Sequence, residues 1–196
     1  RGAADSLVLL AIALEAIGDA RDCKVILEEA LAIRRSLGNP YEIVDVLINL
    51  GQMFFILREF DAAEACFAES DLILAEHPDL YLSNHSKFGQ AYNMLMAGKY
   101  DAGLSLILEV IDYGQQYNVT WLIAYGRLAQ AVSLALLGRM SEADEAAKQL
   151  CGIAQSIGNA DLLGGGYIVR SIVRAVRGDW ERTLAWVHFL MDRPQT

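Results

Sequence analysis

Residues 47–70 read LINLGQMFFILREFDAAEACFAES. Upstream and inside this stretch, Ile43, Val44, Val46, Leu47, Leu50, Phe54 and Leu57 fall largely at helical spacing. After Arg58-Glu59 the pattern restarts with Phe60, Ala63, Phe67 and Leu74. Two helices with a tight turn between them are therefore predicted. Gly51 and Ala63 stand one on each helix, and small side chains there let two helix axes approach closely while Phe54, Phe60 and Phe67 fill the flanks.

The same layout returns every 40 residues without insertion or deletion. Arg58 aligns with Gly18, Gly98, Gly138 and Gly178. Two residues on come Ala20, Phe60, Tyr100, Met140 and Trp180, and three further on Cys23, Ala63, Gly103, Ala143 and Thr183. Seven before the anchor stand Ala11, Gly51, Ala91, Ala131 and Ser171. A fixed period in this range means stacked supersecondary units that share one continuous core. The units are 3–38, 39–78, 79–118, 119–158 and 159–192, one repeat domain over 1–196. Helices are predicted at 3–17, 20–37, 41–57, 60–76, 81–97, 100–117, 120–137, 141–157, 160–177 and 180–191, with no sheet.

Stop and start signals punctuate the units. Gly38, Asn118 and Gly158 share a column where a left-handed residue closes a helix, and Pro78 forces a stop in the same column. Asn39 suits an N-cap and Pro40 the first helical position. Asp61 with Glu64 reads as a capping pair, and Ser141 with Asp144 as a weaker one.

The order carried by Leu47, Leu50, Gly51, Phe54, Phe60, Ala63, Phe67 and Ser70 resembles the tetratricopeptide repeat. The resemblance covers about residues 3–192, with a period longer than that family's usual 34. Residues 28–39, EEALAIRRSLGN, are similar to the long-repeat subtype in sensor regions of large ATP-dependent bacterial transcription activators, such as the maltotriose-responsive regulator. The resemblance implies an all-α, right-handed α-α superhelix of five helix pairs, its concave face lined by the first helix of each pair. The chain departs from the family at Arg58, which replaces the usual Gly. Lys87, Gln90, Arg127, Gln130 and Arg170 put polar groups in columns normally apolar, which predicts a polar seam or looser packing in the later repeats.

In the family, ligands lie along the first helices. The columns that the resemblance places there give a partner-binding set of Asp45, Ile48, Asn49, Gln52, His85, Phe88, Tyr92, Tyr125 and Leu128. The mixture is aromatic and apolar with a few hydrogen-bonding groups, suited to a peptide or a small effector. The competing reading of Phe88 and Leu128 is plain packing between adjacent first helices. Ile48, Gln52, Gly89, Tyr125 and Ala129 occupy the columns with which relatives clamp a terminal carboxylate, and none is a cation, which excludes that use.

The formal charge of −9, from 25 acidic and 16 basic residues, argues against direct nucleic-acid contact. Without a basic groove, the column Tyr41, Tyr81, Trp121 reads as packing against the preceding unit and not as a ladder for bases. His77, His85 and His188 are scattered and make no metal motif. Arg170, Arg174 and Arg177 share a helix face and are expected to pair with nearby acids or an acidic partner. Gly164-Gly165-Gly166 lacks the Lys-Ser/Thr of a phosphate loop and predicts a frayed or bent helix start. Cys23, Cys66 and Cys151 lie in different repeats and read as buried thiols of a reducing compartment.

No nucleophile–base pair or carboxylate dyad stands out. The expectation is a non-catalytic module without cofactor or metal, cytoplasmic, off the membrane, with a homo-oligomer left open. The start, Arg1-Gly2-Ala3-Ala4, reads as a piece cut from a longer protein. The function expected is recognition of a protein segment or small effector, as the sensor or interaction domain of a bacterial signalling or transcription regulator. An assembly scaffold without an effector is the alternative.

Overall fold

The computed structural model describes residues 2–16 and 18–179. The described residues are all-α, with no strand among them: α1 Gly2–Ala16, α2 Ala20–Leu37, α3 Pro40–Ile56, α4 Phe60–Glu76, α5 Leu80–Met96, α6 Tyr100–Tyr117, α7 Thr120–Leu136, α8 Met140–Ile157 and α9 Ala160–Val176. The predicted helix 180–191 lies outside the described residues.

The period is visible in the backbone. Helix starts recur in one column at Asn39, Asp79 and Asn159, whose side chains accept backbone N–H bonds from the first turns of α3, α5 and α9. Val119 occupies that column before α7 and gives no side-chain cap. Gly38, Asn118 and Gly158 are left-handed as predicted, with φ of 74°, 57° and 69°, and Pro78 follows the end of α4. The two predicted capping pairs are corrected. α4 starts one residue before Asp61 and its cap position is Glu59; α8 starts at Met140 and its cap is Arg139; neither side chain bonds the helix start. The cap position falls directly after the left-handed anchor in each case, and Glu59 and Arg139 do not cap there, whereas the short carboxylate of Asp19 in the same position accepts from Asp22 N of α2.

That anchor is left-handed in every unit: Gly18, Gly98, Gly138 and Gly178 have φ between 76° and 82°, and Arg58 has φ 64°. A non-glycine residue there is strained. Its guanidinium lies 5.6 Å from the centroid of the Phe60 ring, a contact too exposed to offset the strain. Arg58→Gly is expected to stabilise the fold by about 0.5–1 kcal/mol, read as a raised midpoint in urea at unchanged slope.

The chain divides into two compact units, residues 1–99 and 100–196. In the first, α1–α2 and α3–α4 pack as hairpins, α2 packs on α3, α4 on α5, and the first helices α3 and α5 lie side by side. In the second, α6 packs on α7, α7 on α8 and α8 on α9, and α7 and α9 pair as first helices. First helix on first helix is what a stacked array requires.

In the first unit, the space beside Gly51 is taken by Phe67 of α4, fully buried and set between two glycines. A Cβ on Gly51 would stand 2.7 Å from its ring, and one on Gly89 of α5 only 2.4 Å. Ala63 is fully buried in the same cluster, with Val44, Ile48, Phe55 and Leu82. In the second unit Gly166 meets α8: a Cβ there would lie 2.6 Å from Cys151 Sγ. The glycine run 164–166 is therefore not a frayed start. It sits inside a regular helix, where the close approach of α8 needs a missing side chain.

Polar groups lock the joints between repeats. Arg34 of α2, 7% exposed, bonds Asp5 of α1 at 2.6 Å and Glu42 of α3 at 2.5 Å. Asp71 of α4 accepts from Ser86 and Gln90 of α5 at 2.9 and 2.8 Å. Arg170 of α9 bonds Asp144 of α8 at 3.0 Å, Arg177 donates to Ser141, and Arg127 donates to Gln130 within α7. Of the residues predicted to form a polar seam, Gln90 and Arg170 bond acids on the preceding helix and Arg127 bonds Gln130.

Candidate functional site

The expected partner-binding residues divide between the two units. α3 carries Asp45, Ile48, Asn49 and Gln52; α5 carries His85, Phe88 and Tyr92; α7, in the second unit, carries Tyr125 and Leu128. Because α3 and α5 lie side by side, the columns at 45, 52, 85 and 92 form one face of the first unit.

Two pairs stand out on that face. The Gln52 amide nitrogen lies 3.2 Å from His85 Nε2, so the ring nitrogen accepts and the neutral imidazole fits. Burial pushes the His85 pKa down to about 4. The Tyr81 ring is 6.0 Å away and tilted against it. The second pair is Phe88 and Tyr92, with ring centroids 4.7 Å apart, and Phe55 stacks on Tyr92 at 6.0 Å. A neutral hydrogen-bonding pair thus stands one to two helical turns from an aromatic group on α5.

The remaining residues behave differently. Ile48 is fully buried and backs the face from within the core. Phe88 is 7% exposed, so Tyr92 presents the aromatic surface. The Asn49 amide is turned onto its own helix, donating to the Asp45 carbonyl at 2.8 Å. The Asp45 carboxyl is raised above its ordinary range by burial, with Arg34 drawing it back. Tyr125 is 40% exposed, and Leu128 packs against the cluster of Ala124, Leu150, Ala154 and Leu162. α7 and α9 also leave Val132, Leu136, Ile168 and Ile172 exposed.

Other singled-out residues have structural partners. Tyr41 meets the His77 ring of its own repeat edge-on at 6.4 Å. The three cysteines are free and buried, and burial pushes the Cys66 thiol up to about 11, which makes it unreactive. Among the described residues, no group of His, Cys, Asp or Glu is placed to hold a metal ion, and no helix is long and apolar enough to cross a membrane.

Repeating helix pairs, left-handed anchors and first-helix stacking define the tetratricopeptide-like class of α-α solenoids. The fold is similar to that of a Podosopora anserina protein of nearly identical tetratricopeptide-like repeats, with TM-score 0.70 and 13% identity over 95% of this chain and 92% of that one. It is also similar to apo RapI, with TM-score 0.74 and 11% identity over 93% and 67%. A third likeness is a signal transduction ATPase with numerous domains from Pyrococcus horikoshii that has a tetratricopeptide repeat sensor, with TM-score 0.68 and 20% identity over 88% of this chain. The chain spans 27% of that protein's length. No family model matches the sequence, and no curated protein matches it.

Proposed function

We propose that this domain is a non-catalytic recognition module that binds a protein segment or a small effector on its first-helix face, as the sensor or interaction part of a bacterial signalling or transcription regulator. The observation that carries this reading is the Gln52–His85 pair beside the partly exposed Tyr92. Neutral donors and acceptors next to an aromatic wall recognise an uncharged or weakly polar segment. The tetratricopeptide sensor of the Pyrococcus horikoshii protein supports the regulatory part by analogy of fold.

Peptide selection against the wild-type domain supplies a probe, and titration calorimetry tests it. Tyr92→Ala is expected to weaken selected peptides at least about tenfold with helical content retained. Glu29→Ala, an exposed acid on α2, is expected to leave affinity unchanged. Equal affinity for Tyr92→Ala and wild type moves the binding surface elsewhere.

The second reading is an assembly scaffold. The exposed Tyr125, Val132, Leu136, Ile168 and Ile172 on α7 and α9 favour it, since contiguous apolar surface of this kind often marks a protein interface. Sedimentation that shows a monomer at all concentrations removes self-association from that reading.

A further inference from the structure

A cleft of about 330 Å³ opens between α4 and α5 within the first unit, apart from the face discussed above. Asn93 lines it and is 6% exposed. In the other repeats its column holds the exposed Ala13 and the buried Met53, Ser133 and Val173, and Ser133 closes its hydroxyl onto the Ala129 carbonyl of its own helix. Asn93 is different. Its Nδ2 donates to the Phe60 carbonyl at 3.1 Å, which turns Oδ1 the other way, and no protein donor reaches that buried oxygen. A buried acceptor without a donor is costly, and an apolar residue would serve packing better.

The rest of the cleft points to the missing donor. Asp71 is held in place by Ser86 and Gln90, one bond to each carboxylate oxygen. Asp61 and Glu64 stand exposed at the rim, and Lys99 is the single cation of the lining. Three carboxylates against one ammonium leave the cleft anionic, in a chain whose formal charge is −9. Phe60 and Met94 add apolar wall for a hydrocarbon stem. One buried unpartnered acceptor and three carboxylates in the lining favour a cation with many N–H donors, and a guanidinium has five where an ammonium has three.

We propose that this cleft binds a guanidinium group on an alkyl stem, with Asn93 Oδ1 accepting from it and Asp61, Glu64 and Asp71 supplying the countercharge. The group is an arginine side chain of a partner segment or a free alkylguanidine.

The test is a chemical-shift titration of the isotope-labelled domain with N-acetylarginine methylamide, its citrulline counterpart and butylguanidine. The arginine probe is expected to give saturable shifts that include the Asn93 side-chain amide. The neutral citrulline probe is expected to bind at least about tenfold more weakly, as loss of a charged hydrogen bond requires. Tighter binding of the arginine probe than of butylguanidine assigns the ligand to a peptide, and equal binding assigns it to a free guanidine. Asn93→Met, which installs the side chain of the equivalent Met53, is expected to fold and to lose binding at least about tenfold. Glu64→Gln, on the exposed rim, gives an independent reading if that variant misfolds, with affinity falling severalfold. Absence of saturation at millimolar probe, equal binding of citrulline and arginine, or a folded Asn93→Met with wild-type affinity overturns the proposal. An unfolded Asn93→Met together with an unaffected Glu64→Gln overturns it as well.

Discussion

A Gly89→Leu variant is expected to unfold far more easily than the wild type, losing about 3 kcal/mol or more. The reason is that Phe67 has nowhere to go. A Cβ on Gly89 would lie 2.4 Å from the ring, well inside any normal contact. The ring tip is the mobile end of its side chain, and on an open surface it would swing aside. Here it is 1% exposed, and Gly51 holds its opposite flank, where a Cβ would already lie 2.7 Å away. Relief at α5 therefore becomes overlap at α3. Phe67→Ala is expected to cost a similar amount by leaving a cavity. Adding it to Gly89→Leu should recover part of the loss, since the new side chain then has space. Urea unfolding of the two single variants and the double variant reads the coupling directly. A Gly89→Leu domain with the wild-type midpoint would show that α4 does not insert between α3 and α5.

The second large effect is a dependence on pH set by His85. Its folded pKa, about 4, lies below the ordinary value of 6.5 that the unfolded chain restores. Between these values the unfolded chain holds the extra proton. Stability from this residue is therefore complete above pH 6.5 and is lost as pH falls toward 4, by about 2–3 kcal/mol at pH 4.5. Asp45 acts with the opposite sign. Its raised carboxyl pKa makes the folded state the better proton acceptor, so falling pH through that range stabilises. Other carboxylates titrate nearby, so the informative quantity is a difference. Denaturation at pH 7 and 4.5 should show a smaller acid loss for His85→Gln than for wild type. Parallel losses in the two proteins would mean that His85 is accessible to protons and that the Gln52–His85 pair is open to water.

The helices were legible because the signals are local and repeated. Nine helix positions follow from apolar spacing and from residues that cannot continue a helix, such as Gly38 with its left-handed φ and Pro78 after α4. The capping pairs were misread because a Ser/Asp-x-x-acid pattern does not show where the preceding turn ends. The helices after Arg58 and Gly138 start at Phe60 and Met140, which puts Asp61 and Ser141 inside the helix and leaves the cap position to Glu59 and Arg139. The glycines at 164–166 misled for a related reason, since what makes glycine tolerable in α9 is a neighbour, Cys151, fifteen residues away from Gly166. On the first-helix face, columns located the residues but not their exposure. Ile48 and Tyr92 share a helical face pattern, yet only packing distinguishes a buried support from an accessible ring. The α4–α5 cleft had one readable sign, the amide of Asn93 in a column otherwise held by Ala13, Met53, Ser133 and Val173. Its orphaned oxygen is a property of three dimensions and no pattern announces it.

The polar contacts at the joints have a consequence for how such a chain is built. Uniform repeat length invites the idea that repeats are interchangeable parts, but each joint carries its own address. Ser86 and Gln90 meet Asp71, whereas the first repeat offers Leu31 in that column. Arg170 meets Asp144, whereas the third repeat offers Leu104. A repeat moved one place along would bring its donors against leucine, and the unmet polar groups would reject the new neighbour. The order of the repeats is thus written into their edges, and shuffling by duplication or deletion is resisted at every joint where such a pair stands.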